Sequence, residues 1–289
     1  MGEITQYSYF PGCTLKTKAK DLDRYARKCA LKLGAELIEP EDWQCCGGVY
    51  PLGSDEIGNK LSSVRALNDA KEHGRELVTI CSACHHVIKR VNDDMKNVPD
   101  IQMRANNYAQ FDEPYAGETN VIHYLELLRD RIGFDKVKEA VTNPLTGRKI
   151  GAYYGCLLLR PSDVLQFDDP ENPSIIENFI ASLGAEPVKY QMRNECCGGY
   201  RSLENPSFTN SLVEKIFIDA SNAGCQELVT ACPLCKYNLT NYDGPYKMPV
   251  KYITEVLAEA MGLLEEGAEA EEDLAGISCK CAEGKEAQA

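Results

Sequence analysis

Cys45-Cys46-Gly47-Gly48 returns 151 residues later as Cys196-Cys197-Gly198-Gly199, and what surrounds the two copies decides the fold. Behind each doublet stands a C-x-x-C, Cys81 and Cys84 in one case and Cys232 and Cys235 in the other, at the same offset. Ahead of each stands a lone cysteine, Cys13 or Cys156, separated from its doublet by 31 and 39 residues respectively. The flanks agree: Leu33-Gly34-Ala35-Glu36 matches Leu183-Gly184-Ala185-Glu186, and Glu76-Leu77-Val78-Thr79 matches Glu227-Leu228-Val229-Thr230. A repeat that carries both cysteines and apolar flanks is a duplication of whole structural units.

Each unit alternates short apolar runs with amphipathic stretches. This predicts an α/β protein of two pseudo-symmetric halves, each with a short, mainly parallel sheet flanked by helices. In the first half, Tyr7 to Phe10 reads as a strand stopped by Pro11-Gly12, which leaves Cys13 at its carboxyl end. A helix from about Asp21 to Leu33, a strand Glu36 to Ile38, a helix Asp55 to Glu72 and a strand Leu77 to Ile80 follow. That last strand delivers Cys81, at the kind of strand-to-helix junction where open α/β sheets place ligands. Polar residues from Asn92 to Asn120 predict a long connection before Val121 to Leu128 closes the half.

Asn143-Pro144-Leu145-Thr146-Gly147 is a turn-rich boundary. It divides the chain into a first domain over 1–145, a second over 146–262 and an acidic flexible tail over 263–289. In the second domain, strand Ile150 to Tyr154 delivers Gly155-Cys156, and helix Ser174 to Leu183, strand Glu186 to Tyr190, helix Asn210 to Asn222 and strand Glu227 to Ala231 follow; Val250 to Leu257 closes it. The Asp-, Asn- and Pro-rich stretch Gln166 to Pro173 accounts for the longer spacing after Cys156, an insertion a loop absorbs at small cost.

The 289 residues are 44% hydrophobic and 26% charged, as in an ordinary globular chain of two-domain size. No apolar run reaches the roughly 18 residues that a membrane-spanning helix requires. Met1 to Gln6 reads as neither a basic leader nor an apolar segment, so cytoplasmic residence is expected. In that reducing compartment 14 cysteines point to metal or redox chemistry rather than a disulfide framework. A net charge of −13 without a basic cluster argues against general nucleic-acid binding.

Each copy offers five thiolates from three loops, one more than a structural zinc accepts. Sulfur softness favours zinc or iron–sulfur, and ligand number favours iron–sulfur. The ferredoxin spacing C-x₂-C-x₂-C-x₃-C-P is absent, so electrons would arrive from a partner, or the two sites serve another purpose. A thioredoxin-like dithiol explains one C-x-x-C and leaves three cysteines per copy unused.

The two Cys…Cys-Cys…Cys-x-x-Cys motifs resemble the CCG-domain family of cysteine-rich iron–sulfur proteins, and within it the B subunit of heterodisulfide reductase. The likeness covers the chain to about Met261. It implies two noncubane [4Fe-4S] clusters at the interface between the halves. Cys13, Cys45, Cys46, Cys81 and Cys84 would hold one, and Cys156, Cys196, Cys197, Cys232 and Cys235 the other. It also implies a small-molecule disulfide substrate between the clusters, in the family's best-known case the mixed disulfide of coenzyme M and coenzyme B, with one electron delivered to each sulfur. The implied partners are the family's C-type ferredoxin-like iron–sulfur subunit and its A-type flavin-carrying iron–sulfur subunit, in an electron-bifurcating assembly, with a hydrogenase or dehydrogenase module as a further candidate.

Two alternatives stand. The same motif occurs in electron-relay subunits resembling those of succinate dehydrogenase/fumarate reductase or of lactate and glycolate oxidation complexes. A structural zinc site built from Cys81, Cys84, Cys232 and Cys235 would leave six patterned cysteines idle. Cys29 and Cys225 lie outside the repeat pattern and are expected to be structural. His123 reads as a core histidine, and His85 and His86 are expected in supporting or surface roles, because Lys236 and Tyr237 replace them in the second copy. Trp43 is expected to fill core or shield a cofactor. Cys279 and Cys281, on the acidic tail, read as incidental.

Overall fold

The computed structural model describes residues 4–41, 43–48 and 55–264. The first half runs β1 (Thr5–Phe10), α1 (Cys13–Thr17), α2 (Lys20–Lys32), β2 (Ala35–Ile38), α3 (Gly58–Glu72), β3 (Leu77–Thr79), α4 (Ser82–Asn97), α5 (Pro99–Ala109), β4 (Val121–His123) and α6 (Tyr124–Glu126). A π-helical turn over Leu127–Ile132 and α7 (Phe134–Glu139) lead into the second half. There follow β5 (Lys149–Tyr153), α8 (Ser162–Leu165), α9 (Ile175–Ser182), β6 (Glu186–Val188), 3-10 turns over Gln191–Asn194 and Gly199–Leu203, α10 (Pro206–Asn222), β7 (Glu227–Thr230), α11 (Pro233–Thr240), β8 (Val250–Tyr252) and α12 (Ile253–Ala260).

Each half is built on a four-stranded parallel sheet, in the orders β2-β1-β3-β4 and β6-β5-β7-β8. β3 and β7 are buried at every residue, with Leu77-Val78 and Leu228-Val229 within them, and so do not alternate apolar with exposed polar positions. Strand order reverses at β1/β3 and at β5/β7, and ligands of open α/β sheets sit beyond the carboxyl ends of such strands. Cys13 follows β1 and Cys81 follows β3; Cys156 follows β5 and Cys232 follows β7.

One expectation is corrected. The polar stretch from Asn92 to Asn120 is mostly helix: α4 continues to Asn97, Pro99 opens α5, and only residues 110–120 connect to β4. Val87, Ile88, Val91 and Met95 on α4 and Ile101 and Ala105 on α5 are buried at three- and four-residue spacing, which suffices to seat both helices while their polar faces meet water. Helix α10 starts at Pro206, earlier than expected, because Asn205 Oδ1 accepts from the Phe208 N–H at 3.0 Å and caps it.

A single apolar core joins the halves, running from Tyr7, Tyr9 and Leu37 to Ala152, Phe179 and Leu257. Thr254 Oγ1 donates to Leu22 O at 3.1 Å and Lys32 Nζ to Met261 O at 2.9 Å, fastening α12 onto α2. The inserted stretch Gln166 to Pro173 takes part in this junction. Phe167 is buried against His85 and His123 of the first half, and Asp168 Oδ2 accepts from the Ser174 and Ile175 N–H groups, both at 2.7 Å. Smaller apolar clusters lie under each cysteine set, one including Cys46, Cys81 and Cys84, the other Cys197, Cys232 and Cys235.

Candidate functional site

Both cysteine sets are assembled by the same three loops. Cys13 opens α1, Cys45 and Cys46 follow β2, and Cys81 caps α4 with Cys84 in its first turn. In the second half Cys156 follows β5, Cys196 and Cys197 lie between the two 3-10 turns, and Cys232 caps α11. The glycines before the lone cysteines are required by the packing. Gly12 holds φ +81° and ψ 160°, and a Cβ there would lie 2.8 Å from Cys84 Sγ. Gly155 holds φ +62°, with Cys235 Sγ 3.1 Å from the same position. Both backbones occupy left-handed territory that side-chain-bearing residues avoid, and both let a sulfur approach closely.

The sulfurs meet in pairs. Cys45 and Cys13 Sγ are 3.6 Å apart, Cys46 and Cys84 3.3 Å, and Cys197 and Cys235 3.5 Å. Within pairs one thiol donates and the other accepts, which splits their acidities. Cys45 is held low by the Cys13 and Cys46 thiols, and Cys81 by Cys84, while Cys13 and Cys84 are pushed up by the same bonds. Cys196 is likewise lowered by Cys156, and Cys197 by Cys235. Cys84 and Cys235, in the first turns of their helices, are both pushed up by their thiol neighbours and by burial. Each set thus mixes thiols held low with thiols held high.

A cavity of about 320 Å³ is lined by all five cysteines of the first set. Its opposite wall comes from the second half: Tyr200, Ser202, Leu203, Pro233, Leu234 and Tyr237. None of the second-set cysteines lines it. The halves also meet at the C-x-x-C loops. Ser82 N and Oγ donate to Ala231 O at 3.1 and 2.9 Å, and Tyr252 Oη reaches both Ile80 O and Ala231 O, at 2.7 and 2.9 Å. Those two carbonyls immediately precede Cys81 and Cys232.

Among the described residues no group of three or more His, Cys, Asp or Glu side chains is arranged to hold a single metal ion, the Cys81, Cys84, Cys232 and Cys235 quartet included. Five soft thiols spread around a cavity, with Gly12 leaving room for sulfur, fit a multinuclear iron–sulfur group. The remaining candidates fall elsewhere. Cys29 is in the core, its thiol pushed up to about 12 by burial, and Cys225 packs against Gly151. His123 is fully buried with Nε2 3.1 Å from Ile80 O and Nδ1 accepting from the Leu125 N–H at 3.2 Å, a fully satisfied core histidine. His85 is buried with Nδ1 2.9 Å from Thr79 Oγ1, and His86 Nδ1 is 3.3 Å from Leu157 O. Trp43 stacks edge-on to Phe10 and donates to Glu39 at 2.6 Å, and so fills core. Cys279 and Cys281 lie outside the described residues.

Three residues escaped the sequence reading: Tyr200 on the cavity wall, Tyr252 between the C-x-x-C loops, and Asn238, whose amide reaches Cys197. The signal was available in the duplication itself, since each stands where the first copy has a different kind of residue: Val49, His123 and Val87.

The architecture resembles a crystal structure of a hypothetical protein from Helicobacter pylori, with a TM-score of 0.67 at 14% identity. The match covers 91% of this chain and spans half the length of that one, and it bears on the fold alone. In sequence the chain is 27% identical over 267 residues to the 8-methylmenaquinol:fumarate reductase membrane anchor subunit of Wolinella succinogenes, covering 89% of this chain and 93% of that protein. It is 25% identical to the B subunit of the ferredoxin/F420H2-dependent CoB-CoM heterodisulfide reductase of Methanosarcina acetivorans, covering 90% of each. It is 27% identical to a protein of Archaeoglobus profundus named for its likeness to the heterodisulfide reductase B subunit, covering 90% of this chain and 91% of that protein. Among the described residues no helix is long and apolar enough to cross a membrane. The cysteine-rich domain profile matches twice, over residues 7–89 and 150–240, and each match holds one complete set of five cysteines. The chain therefore belongs to the cysteine-rich CCG domain family, in which it carries two copies of the domain.

Proposed function

We propose that the chain is a subunit of an oxidoreductase complex and reduces a small-molecule disulfide to two thiols. Cys13, Cys45, Cys46, Cys81 and Cys84 would hold one noncubane [4Fe-4S] cluster, and Cys156, Cys196, Cys197, Cys232 and Cys235 a second. The halves over 1–145 and 146–262 act as one unit, since they share a core. When bound, the clusters supply electrons singly, and R–S–S–R′ + 2e⁻ + 2H⁺ → RSH + R′SH consumes two.

The observation that carries this reading is the cavity. The five-cysteine side of its roughly 320 Å³ would be taken by the cluster, and what favours a substrate is the far wall, where Tyr200, Leu203, Pro233 and Leu234 of the other half face that side. Leu203, Pro233 and Leu234 make that wall largely apolar, which excludes water from a sulfur held there. Lys18 at the same cavity makes no ion pair among the described residues and offers its ammonium to an acidic group on the substrate. Tyr200, 44% exposed, keeps its phenolic proton at neutral pH as any tyrosine does, and partial desolvation and the nearby Cys81 and Cys232 raise it further. Its hydroxyl is thus a standing hydrogen-bond donor to a departing sulfur.

Partners follow the same reading. Electrons would come from a ferredoxin-like iron–sulfur protein fed by a flavin-carrying one. The likeness to a component of fumarate reductase favours a second reading, an electron-relay role in such a complex. Anaerobic single-turnover assays separate the two. Reduced protein mixed with a small-molecule disulfide should release two thiols for each pair of electrons lost. Oxidation only by a partner protein or a quinone, with no thiol released, would select the relay.

A further inference from the structure

Cys232 and Cys235 open α11 as Cys81 and Cys84 open α4, and the residue three positions beyond the second cysteine shares its face of the helix. In the first half that residue is Val87; in the second it is Asn238, also buried, at 3% exposure. Asn238 Nδ2 lies 3.4 Å from Cys197 Sγ, 3.3 Å from Cys197 O and 3.0 Å from Gly199 O. The two carbonyl oxygens are acceptors only, so they fix the amide with its NH₂ toward the doublet. Asn238 Oδ1 is left buried without a partner. An unsatisfied buried acceptor is destabilising, and a valine fills the equivalent place in α4, so packing does not explain the asparagine.

We propose that Asn238 is a positioning residue whose amide, donating to Cys197 Sγ, holds the second iron–sulfur centre at a higher reduction potential than its five cysteines alone would set. The inference rests on the proposed assignment of Cys156, Cys196, Cys197, Cys232 and Cys235 to that centre. A donor directed at a ligand sulfur stabilises negative charge there. The reduced centre carries one more negative charge than the oxidised one, so the donor favours reduction. The first set has a side-chain donor of its own, the Thr14 hydroxyl beside Cys13. Cys13 is exposed, and water supplies the same bond when the hydroxyl is absent. Cys197 is 3% exposed, so the amide at that sulfur has no such substitute. Asn238 thus adds, at the second centre, a donor to sulfur that the matching position of the first, Val87, lacks.

The test is a redox titration of the anaerobically purified, iron-loaded full chain, followed by electron paramagnetic resonance, for wild type and Asn238→Val. The centre that persists in Cys45→Ala protein identifies the second set's signal. Expected is unchanged iron and sulfide, with the second centre's reduced-to-oxidised ratio at the wild-type midpoint falling roughly tenfold, equivalent to about 59 mV for a one-electron couple. The first centre's midpoint stays where it was. Iron retained with both midpoints unmoved, or both moved alike, overturns the inference while leaving the proposed function intact. Wild-type protein that holds no iron overturns both. Should Asn238→Val not fold, wild-type protein labelled with side-chain ¹⁵N-asparagine decides the matter. Pulsed resonance then shows nitrogen coupling to one centre, and no coupling at either refutes the bond.

Discussion

The two halves share strand order, loop placement and five cysteines, yet their sites face different surroundings. The first set opens on a cavity closed by the second half, whereas the second set lines none of it and receives an amide from Asn238 instead. Cys45 and its counterpart Cys196 are both exposed, but Cys13 is exposed where Cys156 is half-buried. Duplication has preserved the ligand geometry and let the walls diverge. On the proposed reading one half serves access and the other tunes the electronic environment of its sulfurs.

The strongest challenge to this comparison is to remove one ligand from each half. Cys45→Ala and Cys196→Ala should each lose about four irons, one four-iron centre's worth, and each should abolish disulfide reduction, since two electrons are needed at one substrate. Loss of all iron from either variant would show that the halves do not load separately.

The glycines before the lone cysteines sharpen the contrast. Gly12→Ala should cost about 2–3 kcal/mol, because its backbone lies in a region essentially restricted to glycine and its new Cβ would strike Cys84. Gly155→Ala, with more room before Cys235, should cost about 1–2 kcal/mol. Denaturant unfolding reads both, and equal losses would remove the distinction.

His123 and Tyr252 occupy matching places at the ends of β4 and β8, and both reach Ile80 O. Burial lowers His123 to about 3 from its ordinary 6.5. Between those values the unfolded chain binds more protons, so stability rises with pH, is complete above about 6.5 and is lost as pH falls toward 3. His85, also held low by burial, adds a slope of the same sign. His123→Gln, which keeps a donor toward Ile80, should therefore shed part of the acid-side loss between pH 6.5 and 5 in anaerobic urea unfolding. An unaltered slope would place the proton elsewhere. The smallest effects belong to the cysteines outside the repeat. Cys29→Ala should cost about 1 kcal/mol as a small core truncation, and Cys225→Ala within about 0.5 kcal/mol, with iron unchanged in both.

The sequence made the fold and the ten cysteines legible through one signal, the repeat at a constant offset. Strands β1, β3, β5 and β7 were visible because burial on both faces writes itself as apolar runs ending at cysteines. Helices α4 and α5 beyond Asn92 were hidden because each needs only two to four apolar residues to seat, and the rest of their surface is polar. Cys29 and Cys225 stand apart from the patterned cysteines for the converse reason: a residue absent from the sister copy is not bound to the shared geometry. The same comparison held the Asn238/Val87 and Tyr252/His123 exchanges, but their meaning depends on which backbone atoms they meet across the chain, and spacing does not carry that. Tyr200 required the halves to be docked before it could be seen to wall the other half's site.

Counting iron and acid-labile sulfide per chain in anaerobically purified protein tests the central claim, that each cysteine set holds its own cluster, most directly. The account predicts about eight irons and a matching amount of sulfide per chain. One zinc without sulfide, or about four irons, would contradict it.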